Sequence, residues 1–447
     1  ALTPVSAKGA HRAWGGRGRG RLARAAVSRD TSKTMRNVGV LALIASCAVG
    51  CATLLDYDEV SFGEPDASAG SGGIIATGGT GGSTSGGSAG TSMGGAAGVD
   101  SGAGGTPTGG TTSTGGTTSS GGTTGSGGAP TVLCSPSCGY GFYCDPAGKT
   151  CKCLYGFVQS GTQCDPVLPG DPKGHSETEV CAQWNNGNAI TDPNPWTAGP
   201  TECDPGTTSR GGINDAVARI NMYRWLVGLG PAVDDEARNE TSRWGAVVAS
   251  WNPPGTVPNP HSPPPTAKCY TPTGAAGTGS SNLSWGVGVA EAITQFVIDN
   301  GNFTTFGHRR WILSAGTGVT GIGHYAGGGP YGRATCQYSF GGGTTYPAPD
   351  WVSLPPPGFA PVAIVNYVWT FHHKSSVGSA TIKVTNAATS AGMPMKTLNL
   401  SGGYGSYSTV AFQQQGWTAK AGDVFDVTVE GITGGPISYQ VKASACN

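Results

Sequence analysis

Residues 63 to 130 are almost wholly Gly, Ser, Thr and Ala, in imperfect repeats such as Gly109-Gly110-Thr111-Thr112, and contain no lysine or arginine. A stretch of this kind cannot bury enough apolar surface to offset the entropy of ordering it. It is predicted to be a flexible coil spanning roughly 45 Å on average. The 78 glycines and the charged fraction of only 12% carry the same message for the chain as a whole: part of it never packs. Independent folding is therefore expected after residue 130, with residues 52–130 as a linker.

Ahead of the linker, residues 1–34 are rich in arginine and read as an upstream extension, with the natural start at Met35. Residues 35–51 read as an export signal. Arg36 gives the positive end, and the apolar run from Val38 to Val49 is too short to span a bilayer. The run ends in Ile44-Ala45-Ser46-Cys47 and Ala48-Val49-Gly50-Cys51, and both resemble the lipobox of bacterial lipoproteins. The resemblance implies a lipid on Cys47 or Cys51, hence a membrane anchor and a periplasmic or cell-surface location. The alternative is a plain secretory signal cleaved near Gly50. Thirteen cysteines, twelve of them beyond residue 50, agree with an oxidising compartment. A formal net charge of zero gives no reason to expect nucleic acid as a partner.

Cys134, Cys138, Cys144, Cys151, Cys153 and Cys164 fall within 31 residues, and a segment this small needs covalent staples because it has no room for a core. Sequence alone permits fifteen pairings. The spacing of residues 131–165 is similar to that of EGF-like modules, and the resemblance implies Cys134–Cys144, Cys138–Cys151 and Cys153–Cys164. Thr131-Val132-Leu133 stand where the calcium-binding form carries acidic residues, so no calcium is expected. Such modules serve mostly as spacers.

Residues 166–209 read as a loop-like connecting segment. A helix is predicted to open near Asn214, since Ile213, Ala216, Val217, Ile220 and Leu226 recur with helical spacing and Gly228 with Gly230-Pro231 stops the run. Asp234 is the expected N-cap of a second helix, which buries Ala237, Thr241, Trp244 and Val248. Arg224 and Trp244 read as core-edge residues. A third amphipathic run covers Ala290 to Asp299, and strands are expected over Val319–Tyr325 and Ala334–Phe340, with His324 structural. His261 lies in a proline-flanked loop and His308 follows the third run, with Asp299 at the helix end nearest to it. Two imidazoles and a carboxylate in one cleft can hold a divalent metal or share protons. Spacing alone favours the other reading, a pair of hydrogen-bonded struts, since no HExxH pair fixes both rings on one helix.

Several ordered motifs in this region resemble the CAP superfamily of cysteine-rich secretory, antigen 5 and pathogenesis-related-1 proteins. They are Ile220-Asn221-Met222-Tyr223-Arg224, Gly228-Leu229-Gly230-Pro231, Pro260-His261-Ser262, Ser281-Asn282-Leu283-Ser284-Trp285-Gly286, Gly307-His308-Arg309-Arg310 and Gly318 to Gly323, and they cover about a third of the chain. The resemblance implies a CAP (SCP-like) domain over residues 210–345, an α-β-α sandwich whose cleft carries His261, His308 and Asp299. Where the family reads Gly-Glu-Asn this chain reads Ser280-Ser281-Asn282, so Ser281 replaces a glutamate and the cleft has lost a carboxylate. A divalent ion, zinc, is accordingly expected to bind weakly. Two disulfides are expected around this domain, Cys269–Cys336 and Cys181–Cys203, which leaves Cys446 without a partner.

From residue 346 the texture becomes β-rich. Ala363–Phe371, Ala380–Thr385, Thr397–Leu400, Thr409–Gln413, Val424–Val429 and Ile437–Val441 predict a small immunoglobulin-like β-sandwich over residues 346–447. His372 and His373 are expected in an exposed turn after the first of these strands. The whole chain thus reads as an α+β protein: an EGF-like module, a CAP-type sandwich and a β-sandwich. The expected activity is non-enzymatic binding of a lipid, an envelope component or a protein ligand. The alternative is a metal-assisted hydrolase in the same cleft, with Asp299 taking a proton from a zinc-bound water.

Overall fold

The computed structural model describes residue 134, residues 138–340, residue 342 and residues 346–446. Cys47, Cys51 and the stretches read as export signal and linker lie outside the described residues. The architecture is mixed α/β with several small sheets, and five disulfides join ten of its cysteines. No helix among the described residues is long and apolar enough to cross a membrane.

The cysteine-rich segment forms two antiparallel hairpins, β1 (Phe142–Asp145) with β2 (Thr150–Cys153) and β3 (Phe157–Ser160) with β4 (Gln163–Pro166). Its disulfides are Cys134–Cys144, Cys138–Cys151 and Cys153–Cys164. The segment is packed down and does not stand apart as a spacer. Leu154, Phe157 and Cys164 belong to one apolar cluster with Val180, Ile213, Val217 and Ile220. Gly156, at φ +90°, lets the backbone come so close that a Cβ there would lie 2.9 Å from Pro231.

Residues 166–209 are far from loop-like. They hold helix α1 (Glu177–Asn188), opened by a capping box in which Ser176 and Glu179 satisfy each other's backbone N–H groups, and the short pair β5 (Trp196–Thr197) and β6 (Thr207–Thr208). Helix α2 (Arg210–Leu226) starts at its Ser209 N-cap, one turn earlier than the apolar pattern suggests. Asp234 belongs to strand β7 (Val233–Asp234), where it receives a two-pronged ion pair from Arg210. The N-cap of helix α3 (Glu236–Trp251) is Asp235.

The central sheet is ordered β7-β9-β10-β8, with β8 (Ser281–Trp285), β9 (Val319–Tyr325) and β10 (Ala334–Tyr338); β7 runs parallel to β9 and the other pairs are antiparallel. Ser281-Asn282-Leu283 therefore lies in a strand. Alternation along β9 puts helices on both faces. Gly321 and Gly323 face α3 so closely that a Cβ would fall 2.4 Å and 2.1 Å from the Arg238 and Ser242 carbonyl carbons, whereas Ile322 joins the cluster of α2 and helix α5 (Val289–Ile298). The buried face of α3 is made of small and polar residues, among them Asn239, Ser242, Gly245, Ala246 and Ala249, rather than Ala237, Thr241 and Trp244. Close approach to a glycine-bearing strand requires this. Helix α4 (Pro272–Gly279) approaches α3 in the same way through Gly245 and Gly277.

After helix α6 (Gly307–Ile312), the C-terminal part contributes two four-stranded sheets, β11-β13-β16-β15 and β12-β18-β17-β14. The strands are β11 (Trp351–Leu354), β12 (Gly358–Pro361), β13 (Trp369–His373), β14 (Thr381–Asn386), β15 (Met395–Leu398), β16 (Ser408–Gln414), β17 (Val424–Glu430) and β18 (Ile437–Ser444). All pairs are antiparallel except β12 with β18. The segment Ala363–Phe371 divides into helix α7 (Val362–Val365) and β13. His372 and His373 lie in β13 and are buried; no exposed turn holds them. His372 is bracketed by the hydroxyls of Thr370 and Thr409, and burial with Arg310 and Arg309 nearby holds its pKa well below the ordinary histidine value.

Two disulfide expectations are corrected. Cys181 pairs with Cys446 and Cys203 with Cys269, which leaves Cys336 as a buried thiol. The reason is the unforeseen α1, which carries Cys181 to the chain end, while Cys336 in central strand β10 points at Gly245 of α3. Burial pushes the Cys336 thiol far up.

Candidate functional site

The candidate residues are set by two helix ends and a strand. Helix α5 stops where Asp299 adopts a left-handed conformation at φ +51°, turning its carboxylate inward, where it is 3% exposed. Its Oδ1 accepts from His308 Nδ1 at 2.8 Å and from Asn302 Nδ2 at 3.2 Å, and its Oδ2 accepts from the Arg309 backbone N–H at 3.2 Å. Asp299 therefore orients His308 and anchors the start of α6 at once. The Phe296 ring lies 5.3 Å from the His308 ring. Asn282 on β8 donates to the His308 carbonyl at 3.2 Å and to Gln337 Oε1 at 2.8 Å, so strand and helix are tied beneath the imidazole.

His261 lies in a turn in which its backbone N–H donates to Asn259 Oδ1. Its Nδ1 lies 2.9 Å from the carbonyl of Thr278 in α4. A carbonyl can only accept, so Nδ1 carries the proton and Nε2 the lone pair; in His308 the Asp299 carboxylate fixes the same tautomer. Burial pushes the His261 pKa down to about 4, partly offset by the Thr278 carbonyl and aided by the nearby His308. The influence of His308 on His261 places the two rings in one electrostatic neighbourhood. Ser281 is 5% exposed, and its hydroxyl is buried with no hydrogen-bond partner among the described residues.

The expected residues His261, His308, Asp299 and Asn282 are thus linked by direct or electrostatic contacts, with Ser281 beside Asn282 on β8. A metal test is narrower. Among the described residues, the one group of three His, Cys, Asp or Glu ligand atoms mutually within 4.8 Å is Cys134, Cys138 and Cys151, and disulfides consume all three. The cleft offers two imidazoles and no third ligand of these types, and Asp299 is spent on His308 and Arg309. That donor set falls short of the usual catalytic zinc set of three protein ligands.

Three contributors carry no obvious sequence signal. Thr278 sits in the glycine-rich run Gly274 to Gly279, in the helix that opens at Thr271-Pro272. Gln337 is an ordinary strand glutamine. Tyr404, from the loop before β16, packs so tightly on α6 that a Cβ at Gly307 would lie 2.7 Å from its ring. Arg309 completes the frame: its buried guanidinium donates to the carbonyls of Val297, Ile298 and Val368. Burial lowers its pKa to about 10.

The chain matches no protein-family model, no curated protein and no solved structure.

Proposed function

We propose that this chain is an extracytoplasmic CAP-type protein, an α-β-α sandwich preceded by an EGF-like module and followed by an immunoglobulin-like β-sandwich. In this reading it binds a lipid, an envelope component or a protein ligand through the His261–His308 cleft without catalysing a reaction. The observation that carries the reading is the matched tautomer: two imidazoles from separate elements, each with Nδ1 held by an acceptor, so that each has Nε2 as its electron-pair donor. Struts would need no common tautomer. His261 and His308 would hold a divalent ion such as zinc, which when bound supplies positive charge for a ligand oxygen. Asp299 is 1% exposed in its side chain and engaged by three donors, which supports binding over hydrolysis, since a general base needs an accessible oxygen.

The five disulfides support an oxidising compartment. A lipid on Cys47 or Cys51 would anchor the protein to a membrane, with residues 52–130 as the tether. Zinc titration of the wild type and of His261→Ala, His308→Ala and Ser281→Glu tests the cleft. One weak site is expected, lost in either histidine variant and tightened in Ser281→Glu, where the added carboxylate supplies a third ligand. Equal affinity in all four proteins would reduce the histidines to struts.

A further inference from the structure

A cavity of about 500 Å³ lies where the cysteine-rich segment meets α1 and α2, away from the histidine cleft and sharing no residue with it. This is within the ~300–1,000 Å³ of ordinary small-molecule sites. Val167, Asn186, Ala189 and Thr191 are exposed at its rim, and Leu154, Leu229 and Pro231 are buried at its base.

The lining has a consistent chemistry. It contains no Lys, Arg, His or Glu. Its single carboxylate, Asp215, already accepts from the Thr191 N–H and hydroxyl and from the Asp192 N–H. Arg210, over the Tyr143 ring at 5.5 Å, is paired with Asp234. Three carboxamides, by contrast, keep capacity unspent among the described residues. Gln183 uses its oxygen on the Tyr155 hydroxyl and Asn214 uses its oxygen on Arg210 Nε, leaving both nitrogens, and the Asn186 side chain makes no protein hydrogen bond. Two tyrosine rings, Tyr143 and Tyr155, stand beside these amides.

We propose that this cavity binds a neutral carbohydrate of mono- or disaccharide size. A charged ligand would leave water without a counter-charge, and an acyl chain would desolvate three carboxamides with nothing to pair them. A sugar satisfies both demands: its C–H face packs on an aromatic ring and its hydroxyls exchange hydrogen bonds with uncharged amides. The site exists only because the cysteine-rich segment is docked, so sugar recognition gives that segment a role beyond spacing.

The test is isothermal titration of the full chain with cellobiose, maltose and N,N′-diacetylchitobiose, beside decanoate and inorganic phosphate. At least one disaccharide is expected to bind saturably and the two anions not at all. Gln183→Ala and Asn214→Ala should each weaken the sugar about tenfold, as for loss of one hydrogen bond. Ala218→Trp, which fills the cavity, should abolish binding, while His308→Ala leaves it unchanged. No saturable sugar binding, uptake of decanoate or phosphate instead, or sugar affinity indifferent to both amide variants would overturn the proposal. The amide variants decide even if Ala218→Trp does not fold.

Discussion

Asp299 shows how much one side chain can be asked to do. Both oxygens accept, one from the His308 Nδ1–H and one from the Arg309 backbone N–H. Replacing it by Asn keeps the shape but sets an amide N–H against one of these donors. Asp299→Asn is therefore expected to cost about 2 kcal/mol in urea unfolding and to weaken zinc in the cleft, because His308 loses the partner that fixes its tautomer. Unchanged stability would mean that the carboxylate is replaceable. His324 makes a second argument at this scale. It is 1% exposed in β9, its Nδ1 lies 2.8 Å from Thr335 Oγ1, and burial, aided by Arg333, pushes its pKa down to about 4. The folded value lies below the ordinary ~6.5, so the unfolded chain takes up the proton first. The stability that the neutral ring contributes is complete above pH 6.5, is lost as pH falls from 6.5 towards 4, and levels off below. His324→Gln should lose about 3 kcal/mol less than wild type between pH 7.5 and pH 4, read from urea unfolding at the two pH values. Equal losses would place the acid sensitivity elsewhere, with His261 and His372 the other imidazoles whose pKa is lowered.

At the scale of elements, what was legible in the sequence follows the strength of the local pattern. Helix α2 and strands β9, β16, β17 and β18 stand close to where their periodicity places them. Helix α1 was missed because Asn185-Asn186-Gly187-Asn188 lacks an apolar stripe, and the one local signal, Ser176 with Glu179, is a cap rather than a period. Gly187 is there because a Cβ would lie 2.4 Å from the Met222 side chain, a contact invisible to local reading. The same holds for α3, whose buried face follows the glycines of β9. Asp299 and its partner His308 stand close in sequence, whereas the contacts of Thr278 with His261 and of Tyr404 with Gly307 depend on packing between distant segments. The glycine contact is testable. Gly323→Ala, which drives a methyl group into the Ser242 backbone, is expected to cost ~3 kcal/mol in thermal unfolding. Gly402→Ala, with open space around it, should change stability by no more than ~0.5 kcal/mol. Similar values for both would show that α3 can shift away from the sheet.

Across the whole molecule, the chain is closed on itself by Cys181–Cys446, which joins α1 to the residues just after β18 over a separation of 265, while Cys203–Cys269 spans only 66. The apolar cluster has the same reach: it runs from Leu154 and Phe157 through α2 and α5 to Val352, Leu354 and Tyr407. Arg310 adds a polar tie, donating to the Ser401 carbonyl at 2.7 Å from the helix that carries His308. A cross-link acts largely by restricting the unfolded chain, so its worth grows with the loop it closes, though only logarithmically. Replacing Cys181 and Cys446 together by alanine should therefore cost ~2–5 kcal/mol, and about 1 kcal/mol more than the same replacement of Cys203 and Cys269. Urea unfolding of the two double variants measures the difference. A larger loss from the shorter loop would mean that native packing around Cys203 and Cys269, beside Trp196 and Trp251, outweighs chain entropy. Equal and negligible losses would mean that the shared apolar cluster alone holds the N-terminal helix to the C-terminal strands.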